Sequence, residues 1–352
     1  MDQTASPQSR LRQALAPYAQ PMPRRPLNPG RFWQRMAQAL ALAVPLTAPH
    51  TAHAESAERF PDRPVTLVVP YAAGGGTDIV GRNIAQRLST LWGQSVVVEN
   101  RSGANGVIGS NVVAKSAPDG HTLMLVVGSH AINPVLMKTL PYDTTTAFTP
   151  ITRIADSPMV LVASSKGPYA NLKDAVAAAR KEETAVGFSE GHTRLTGEMI
   201  RQAGALKTMG VAYKGGGPLM VDIMGGHVPM GVTSVLTAMP HVQSGQLRVL
   251  GVADDKRSPV FPDAMTFEQA GLGEVKSLSW YGLLGPANMP AERVARIRDD
   301  IKKVTEDPAV IKQMQEQGAQ IVVDQPEAFK AFLSEETRRW AAVAQRGGIQ
   351  AE

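Results

Sequence analysis

The sequence predicts an α/β protein with two units, each a mostly parallel sheet flanked by helices. Short β-branched runs alternate with amphipathic stretches over residues 64–127, which is typical of parallel βαβ units. After Pro150 the alternation starts again and continues to residue 253, which indicates a second unit. Beyond residue 54 the chain has roughly 300 residues, enough for two domains of ordinary size.

Each predicted element follows from a local pattern. The first unit is predicted to hold strands 65–69, 96–99 and 122–127 and helices 79–91 and 105–116. The second is predicted to hold strands 159–163, 185–188, 209–213, 228–232 and 247–253 and helices 172–180, 194–204 and 218–224. A last strand, 280–284, precedes helices 291–306, 308–317 and 326–344, the last of which begins with proline. These C-terminal helices have no sheet of their own, so we expect them to pack on the first unit.

Residues 1–54 are typical of an export signal. They contain six arginines and no lysine, an apolar run over residues 36–46 and a small-residue cleavage pattern ending at Ala54. The apolar run is shorter than the roughly 20 residues that span a bilayer. We therefore predict cleavage near Ala54 and a periplasmic mature protein. The alternatives are a start at Met22 or Met36, twin-arginine export through Arg24 and Arg25, and an uncleaved membrane anchor.

The charge distribution excludes nucleic acid as a partner. The whole chain has a net charge of +5, but this excess lies in residues 1–54, and the basic and acidic residues of the remainder balance. A balanced chain offers no positive field to a polyanion. The chain has no cysteine, so no disulfide supports the fold, and its 43% of hydrophobic residues must form the cores.

The glycine-rich loop after the first predicted strand is the most informative segment. Three consecutive glycines allow a ligand to approach the backbone, and Thr77 or Asp78 is predicted to cap the next helix. The free N–H groups and the dipole of that helix favour a small anionic ligand. The alternatives are a tight turn without a ligand and a purely capping role for Asp78. The predicted contacts here are Tyr71, Ala73, Gly74, Gly75, Gly76, Thr77 and Asp78.

Further candidate residues stand in loops that follow later strands. Lys214 and Gly215 open a second glycine run between a strand and a helix, so two such loops are expected to face one cleft. His130 is interpreted as either a contact or a structural histidine, whereas His192 is expected in the cleft. Glycines 103, 106 and 109 are interpreted as loop and packing glycines rather than a second anion loop. The predicted contacts outside the first loop are Ser129, His130, Ser189, Gly191, His192, Thr193, Arg194, Lys214, Gly215 and Thr233.

No pattern supports catalysis or a cofactor. The five histidines after the leader show no metal-ligand spacing, and the chain has no nucleophile elbow and no Walker loop. Gly74 and Gly76 match the start of a dinucleotide fingerprint, but Ile79 occupies the position of its third glycine. We therefore predict no catalytic residue, no metal and no cofactor, and the protein is expected not to be an enzyme.

Several motifs, in order along the chain, resemble one family. They are FPDRP at 60–64, VVPYAAGGGTD at 68–78, VVENRSGA at 97–104, PDGHTL at 118–123, HAINP at 130–134, LPYD at 140–143, YKG at 213–215, GGH at 225–227 and SWYGLLGP at 279–286. This series resembles the Bug (TctC-like) extracytoplasmic solute receptors of tripartite tricarboxylate transporters. The resemblance covers nearly all of the chain after the leader.

The resemblance implies a type II periplasmic-binding-protein fold, a Venus-flytrap of two α/β domains joined by two crossing segments. The implied domains are residues 60–159 with 281–350, and residues 160–280, with hinges near Met159 and Trp280. It also implies a monomer that closes on a small organic mono- or dicarboxylate, held between the first glycine loop and a loop of the second domain. The implied partners are membrane subunits similar to TctA and TctB. A receptor that presents its ligand to a sensor kinase is the alternative.

Two departures from the family pattern concern the ligand. Residues 190–198 form a shorter loop than the usual G-x-G-[TS] loop, and Arg194 replaces a histidine. Thr233 stands where many members have aspartate. Loss of an acid and gain of a base predict a pocket that favours anions, and they favour a carboxylate without an ammonium group.

Overall fold

A computed structural model of the chain describes residues 60–273 and 275–352. The predicted leader and its cleavage site lie outside these residues. The strands are Val65–Val69 (β1), Val96–Asn100 (β2), Thr122–Val126 (β3), Phe148–Ser164 (β4), Thr184–Phe188 (β5), Thr208–Ala212 (β6), Met230–Ser234 (β7), Leu247–Val252 (β8), Met265–Thr266 (β9), Leu278–Pro286 (β10) and Gln320–Ile321 (β11).

The helices alternate with these strands and then close the chain. They are Gly76–Trp92 (α1), Val107–Ala114 (α2), Ser129–Leu136 (α3), Leu172–Lys181 (α4), Gly191–Gly204 (α5), Gly216–Met224 (α6), Val235–Gln243 (α7), Ala291–Thr305 (α8), Pro308–Glu316 (α9) and Pro326–Arg346 (α10). A single 3-10 turn, Ala104–Gly106, precedes α2.

Two mixed sheets share strand β4. In the first lobe the strand order is β2-β1-β3-β10-β4, with β1 parallel to β2 and β3 and with β10 antiparallel to β3 and β4. In the second lobe β5 is parallel to β6 and β7, and β7 and β8 are antiparallel to β4. The predicted parallel units are therefore present, and the long strands β4 and β10 add antiparallel pairs to them.

The change of sheet along β4 is sharp. Pro158 still pairs with Leu278 of β10, whereas Met159 pairs with Ser234 of β7. The amide of Met159 also bonds the carbonyl of Ser277, 2.9 Å away, immediately before β10. The chain thus passes between the lobes at two adjacent points, near residues 158 and 277.

Each lobe has its own apolar core. In the first lobe, Leu67 and Leu125 of the sheet pack with Ile84 of α1 and Ile297 of α8. In the second, Leu161 and Val232 pack with helices α4 and α5. The C-terminal helices pack on the first lobe as expected. Helix α10 also contacts the second lobe, since Trp340 lies in a buried cluster with residues of α3 and α5.

Two helices and half of a strand were not predicted. Helix α3 spans only eight residues and contains Pro134, which argues against a helix in a sequence pattern. Helix α7 contains Pro240 in the same way. The first half of β4 contains Pro150 and Pro158, which argue against a strand, and it forms because β10 and β11 pair with it.

Candidate functional site

The first glycine loop ends in a helix start that no side chain caps. Gly75 is the N-cap residue of α1, with φ −83° and no side-chain hydrogen bond. Gly74 has φ +81°, a conformation that favours glycine. The predicted cap at Thr77 or Asp78 is wrong, because both residues lie inside the first helical turn. The first N–H groups of α1 therefore face the loop without a carboxylate or hydroxyl of their own helix.

The carboxylate of Asp78 holds the backbone of this loop through hydrogen bonds. Its Oδ2 accepts hydrogen bonds from the Gly74 amide at 3.1 Å and from Arg82 Nε at 3.0 Å, and its Oδ1 accepts one from Asn100 at 3.0 Å. Burial raises the pKa of Asp78, but these bonds outweigh it and leave the pKa below its usual value. Asp78 is thus a charged group that fixes the backbone of the loop.

The start of α1 reaches the second lobe directly. The Gly76 amide donates to Thr237 Oγ1 at 2.8 Å, and Thr237 lies in the first turn of α7. Tyr281 of β10 donates to Ser234 Oγ, the N-cap of α7, at 3.0 Å. A methyl group at Gly76 would overlap the Tyr281 hydroxyl and crowd Ser234 and Thr237, so glycine is required there.

The two predicted glycine loops lie against each other. A Cβ atom on Gly75 would lie 3.7 Å from the amide nitrogen of Gly216, and one on Gly217 would lie 2.7 Å from the carbonyl oxygen of Ala73. A Cβ atom on Gly215 would lie 2.6 Å from the Cβ of Ala72. Between the lobes there is thus no room for a side chain at Gly215 or Gly217, whereas a Cβ atom on Gly75 would make an ordinary contact.

A small cavity lies beside this contact and is lined mainly by hydroxyl groups. Its volume is about 40 Å³, which is space for roughly three water-sized groups. Among the described residues that line this inner cavity, none is a lysine, arginine or histidine. The side chains that bring hydroxyl groups are Tyr71, Thr77, Ser189, Thr193, Thr233, Ser234, Thr237, Ser279 and Tyr281.

One carboxylate, Glu190, lines the inner cavity. Glu190 is the N-cap of α5, and its oxygens accept from the amides of His192 at 2.8 Å and Thr193 at 3.0 Å. Thr193 Oγ1 accepts in return from the Glu190 amide at 3.1 Å, which completes a capping box. Burial raises the pKa of Glu190, although these bonds act against it. The sequence analysis missed this residue, and its position three residues before Thr193 was the available signal.

The two candidate histidines belong to the core. His192 is fully buried, packs edge-on against Trp340 and lies 3.0 Å from Ser277 Oγ through Nε2. The expectation that His192 lies in the cleft is therefore wrong. His130 is buried against Phe148, in line with the structural alternative. Burial lowers the pKa of His130 to about 4 and that of His192 to about 3, so both are neutral at pH 7.

A larger outer cavity of about 670 Å³ adjoins the inner one, and Tyr71, Ser189 and Glu190 line both. Tyr71 Oη lies 2.8 Å from Ser129 Oγ, so Ser129 supports Tyr71 rather than lining the cavity. Lys214 lines the outer cavity, and so does Gly191, whose amide donates to Asn105 Oδ1 at 2.7 Å across the two lobes.

Arg194 does not reach the inner cavity. Its guanidinium bonds the carboxylate of Glu352 at 3.0 Å on the rim of the outer cavity, and its side chain is 35% exposed. Arg194 thus does not act on the inner cavity, and a contribution of Arg194 to anion binding in the outer cavity stays a prediction. Thr233 does line the inner cavity, but Glu190 supplies an acid to that same cavity. The inference against ligands with an ammonium group thus loses its basis.

The structure brings most of the predicted residues together. Those that line the inner cavity are Tyr71, Gly75, Gly76, Thr77, Ser189, Thr193, Gly215 and Thr233. Sequence reasoning missed Glu190, Ser234, Thr237 and Tyr281 in this cavity. Within residues 60–273 and 275–352, no group of acidic residues, histidines or cysteines could hold a metal ion. In the same ranges no helix is long and apolar enough to cross a membrane.

The sequence and the fold are similar to those of known proteins. A family model described as the tripartite tricarboxylate transporter family receptor matches residues 80–349. Protein BugT of Bordetella pertussis is 33% identical over 303 residues, covering 84% of this chain and 92% of that protein.

Solved structures agree with this similarity. A Rhodopseudomonas palustris protein determined with adipate has a TM-score of 0.81 and 31% identity, over 83% of this chain and 100% of its own. MatC from the same organism, determined with malate, has a TM-score of 0.75 and 28% identity, over 81% of this chain and 99% of its own. The periplasmic binding protein BugD has a TM-score of 0.79 and 29% identity, over 83% and 100%. These relatives are solute-binding proteins rather than enzymes.

Proposed function

The chain belongs to the tripartite tricarboxylate transporter receptor family, and from this premise we propose that it captures a small organic mono- or dicarboxylate between its two lobes. In this proposal it is a periplasmic receptor, exported by its first 54 residues, that delivers the ligand to membrane subunits similar to TctA and TctB. The relatives determined with adipate and malate support the ligand class.

The observation that carries the proposal is the uncapped start of α1 at the inner cavity. Backbone N–H groups at a helix start attract an anion, and here Gly75 supplies no side-chain cap, although the Gly76 amide already donates to Thr237 Oγ1. The hydroxyl groups around them can donate hydrogen bonds to both oxygens of a carboxylate. With no lysine or arginine among the described lining residues, the site would bind the anion through dipoles instead of an ion pair.

The rest of the ligand would occupy the outer cavity. About 670 Å³ is within the usual range for small-molecule sites. Lys214 lines this cavity and has no acidic partner among the described residues, so a second carboxylate could be held there. A monocarboxylate would leave Lys214 in contact with water.

Closure of the lobes would complete the site. Gly75 comes from the first lobe, and Gly216, Thr233 and Thr237 come from the second, so an opened cleft would lose half of the donors. We propose that the hinges lie near residues 158 and 277, where β4 changes its partner and β10 begins. The predicted domains, 60–159 with 281–350 and 160–280, are a proposal of the same kind.

Calorimetry tests the function, with succinate, malate, adipate and aspartate as probes against the purified mature chain. Binding of at least one acid, together with a smaller radius of gyration in small-angle scattering, is the expected result. Binding without a decrease in the radius of gyration would support the receptor role but contradict the proposed closure of the lobes. No binding by any of these acids, and no acid retained in native mass spectrometry of protein from its host, would contradict the proposal.

A further inference from the structure

Glu190 has a position in the cleft that capping alone does not require. A serine, threonine or aspartate also caps a helix well, yet here a longer carboxylate lines both cavities. Each of its oxygens accepts one backbone amide, from His192 and Thr193. The Ser129 hydroxyl also bonds this carboxylate, whereas the Thr193 hydroxyl donates to the Glu190 carbonyl oxygen at 2.9 Å. Each carboxylate oxygen can accept two hydrogen bonds, so Glu190 retains acceptor capacity toward the cavity.

The size of the inner cavity brings any ligand group close to Glu190. About 40 Å³ holds roughly three water-sized groups, which is the size of one carboxylate. If the ligand carboxylate lies at the start of α1, the carbon next to it and the substituents of that carbon lie between Gly76 and Glu190. A substituent there meets the hydrogen-bond acceptor of Glu190 and the hydroxyl of Tyr71, which separate the inner cavity from the outer one.

An unsubstituted acid would bring its carboxylate close to that of Glu190 without contributing a donor of its own. Like charges at short range repel strongly where water is scarce, and Glu190 is the sole charged side chain among the described residues that line the inner cavity. A hydroxyl or ammonium group on the ligand would donate to Glu190 and relieve that repulsion.

We propose that Glu190 determines the ligand class of this receptor and selects acids that carry a hydroxyl or ammonium group on the carbon next to the bound carboxylate. This inference rests on the proposed carboxylate-binding function. It replaces the expectation of a ligand without an ammonium group. Thr233 brings no acid to the inner cavity, but Glu190 does.

Two matched series of acids test the inference. One consists of succinate, malate and aspartate, and the other of adipate, 2-hydroxyadipate and 2-aminoadipate. In the wild-type chain the better donor-bearing acid should bind at least about tenfold more tightly than the unsubstituted acid, as expected for a hydrogen bond to a charged group. In Glu190→Gln this ratio should fall to about threefold or less. Glu198→Gln is the matched control, since Glu198 is on the same helix and does not line the inner cavity, and it should keep the wild-type ratio.

The ratio of affinities distinguishes a loss of ligand selectivity from a general distortion of the site. A distorted α5 would weaken the binding of all the acids to the same extent, so the ratio would not change. If Glu190→Gln does not fold, Glu190→Asp keeps the cap and the charge and should lower the ratio part of the way. Equal binding of substituted and unsubstituted acids by the wild type would overturn the inference and leave the proposed function intact. An unchanged ratio in Glu190→Gln would overturn it as well. Binding of no acid in either series would count against the proposed function itself.

Discussion

Helices α1 and α5 both begin at the inner cavity, but they differ in what satisfies their first N–H groups. Helix α1 begins after Gly75 without a side-chain cap, whereas α5 begins after Glu190, whose carboxylate accepts two of its amides. The dipole of α1 is therefore available to a ligand anion, and that of α5 already faces an anion of the protein. We propose that the start of α1 attracts the ligand carboxylate and that Glu190, at the start of α5, discriminates among its substituents.

Gly76→Ala should have the largest effect. The added methyl group overlaps the Tyr281 hydroxyl and crowds Thr237, so the lobes cannot close on the start of α1. We expect carboxylate affinity to fall by about 100-fold or more, measured by calorimetry, because the donors of the second lobe would be displaced. Gly197→Ala is the control, since its added methyl group makes an ordinary contact in α5 and affinity should stay unchanged. Equal affinities for the two variants would show that α1 is not the anion site.

Glu190→Ala should lower the stability of the fold, whereas Gly76→Ala should mainly lower the affinity for the ligand. Loss of the N-cap should reduce the free energy of unfolding by about 1–2 kcal/mol, measured by chemical denaturation without ligand. Asn171→Ala removes the N-cap of α4, away from both cavities, and should cost a similar amount. The asparagine variant should keep its ligand preference, whereas Glu190→Ala should lose it. A free energy of unfolding unchanged in Glu190→Ala would contradict the capping role.

The two helix starts should respond to pH with opposite signs. The pKa of Asp78 lies below its usual value, so its stabilising contribution is present above the unfolded pKa and is lost as the pH falls through the folded pKa. The pKa of Glu190 is raised, so the folded state binds its proton more readily and stability is lost as the pH rises above about 4.5. Denaturation from pH 3 to 8 should therefore show that Asp78→Asn removes part of the acid-side loss. Glu190→Gln should remove part of the loss of stability at higher pH. If both substitutions change the slope of the free energy of unfolding against pH in the same direction, the assignment is contradicted.

Arg194→Gln should have the smallest effect. The guanidinium is paired with Glu352 on the rim of the outer cavity, and an exposed ion pair contributes about 0–1 kcal/mol. Carboxylate affinity should change by less than about fivefold in calorimetry at physiological salt. Lys214→Gln provides the contrast, because a dicarboxylate that reaches this ammonium should bind more weakly while a monocarboxylate should not. A loss of more than tenfold in Arg194→Gln would place the arginine in the binding site after all.

Local patterns made much of the fold predictable. The β-branched runs of β1, β3 and β5 and the amphipathic period of α4 and α8 fix their own conformation, so their limits agree with the structure within a few residues. The two glycine loops were predictable for the same reason, since a glycine run between a strand and a helix has a local signature. Helices α3 and α7 are short and each contains a proline, Pro134 or Pro240, which in a sequence pattern indicates the end of a helix, so they were not predicted.

The chemistry of the cleft was less predictable, and His192 and Glu190 show why. Both follow strand β5 in a loop that the sequence marks as functional, yet one side chain lies in the core and the other in the cavity. Their roles depend on the direction of the α5 cap and on the position of Trp340, which is nearly 150 residues away in the chain. Arg194 lies at the outer cavity, paired with Glu352, which is 158 residues away in the chain.

The sequence by itself determined the α/β fold, the family and the glycine loops, because each depends on neighbouring residues or on motifs in order. Only the tertiary structure decided which hydroxyl groups, which carboxylate and which helix start share a cavity. Those groups come from β1, β5, β7 and β10, strands that are far apart in the chain and meet because β4 and β10 connect the two lobes. The ligand class therefore depends on contacts over long sequence separations, which no local pattern records.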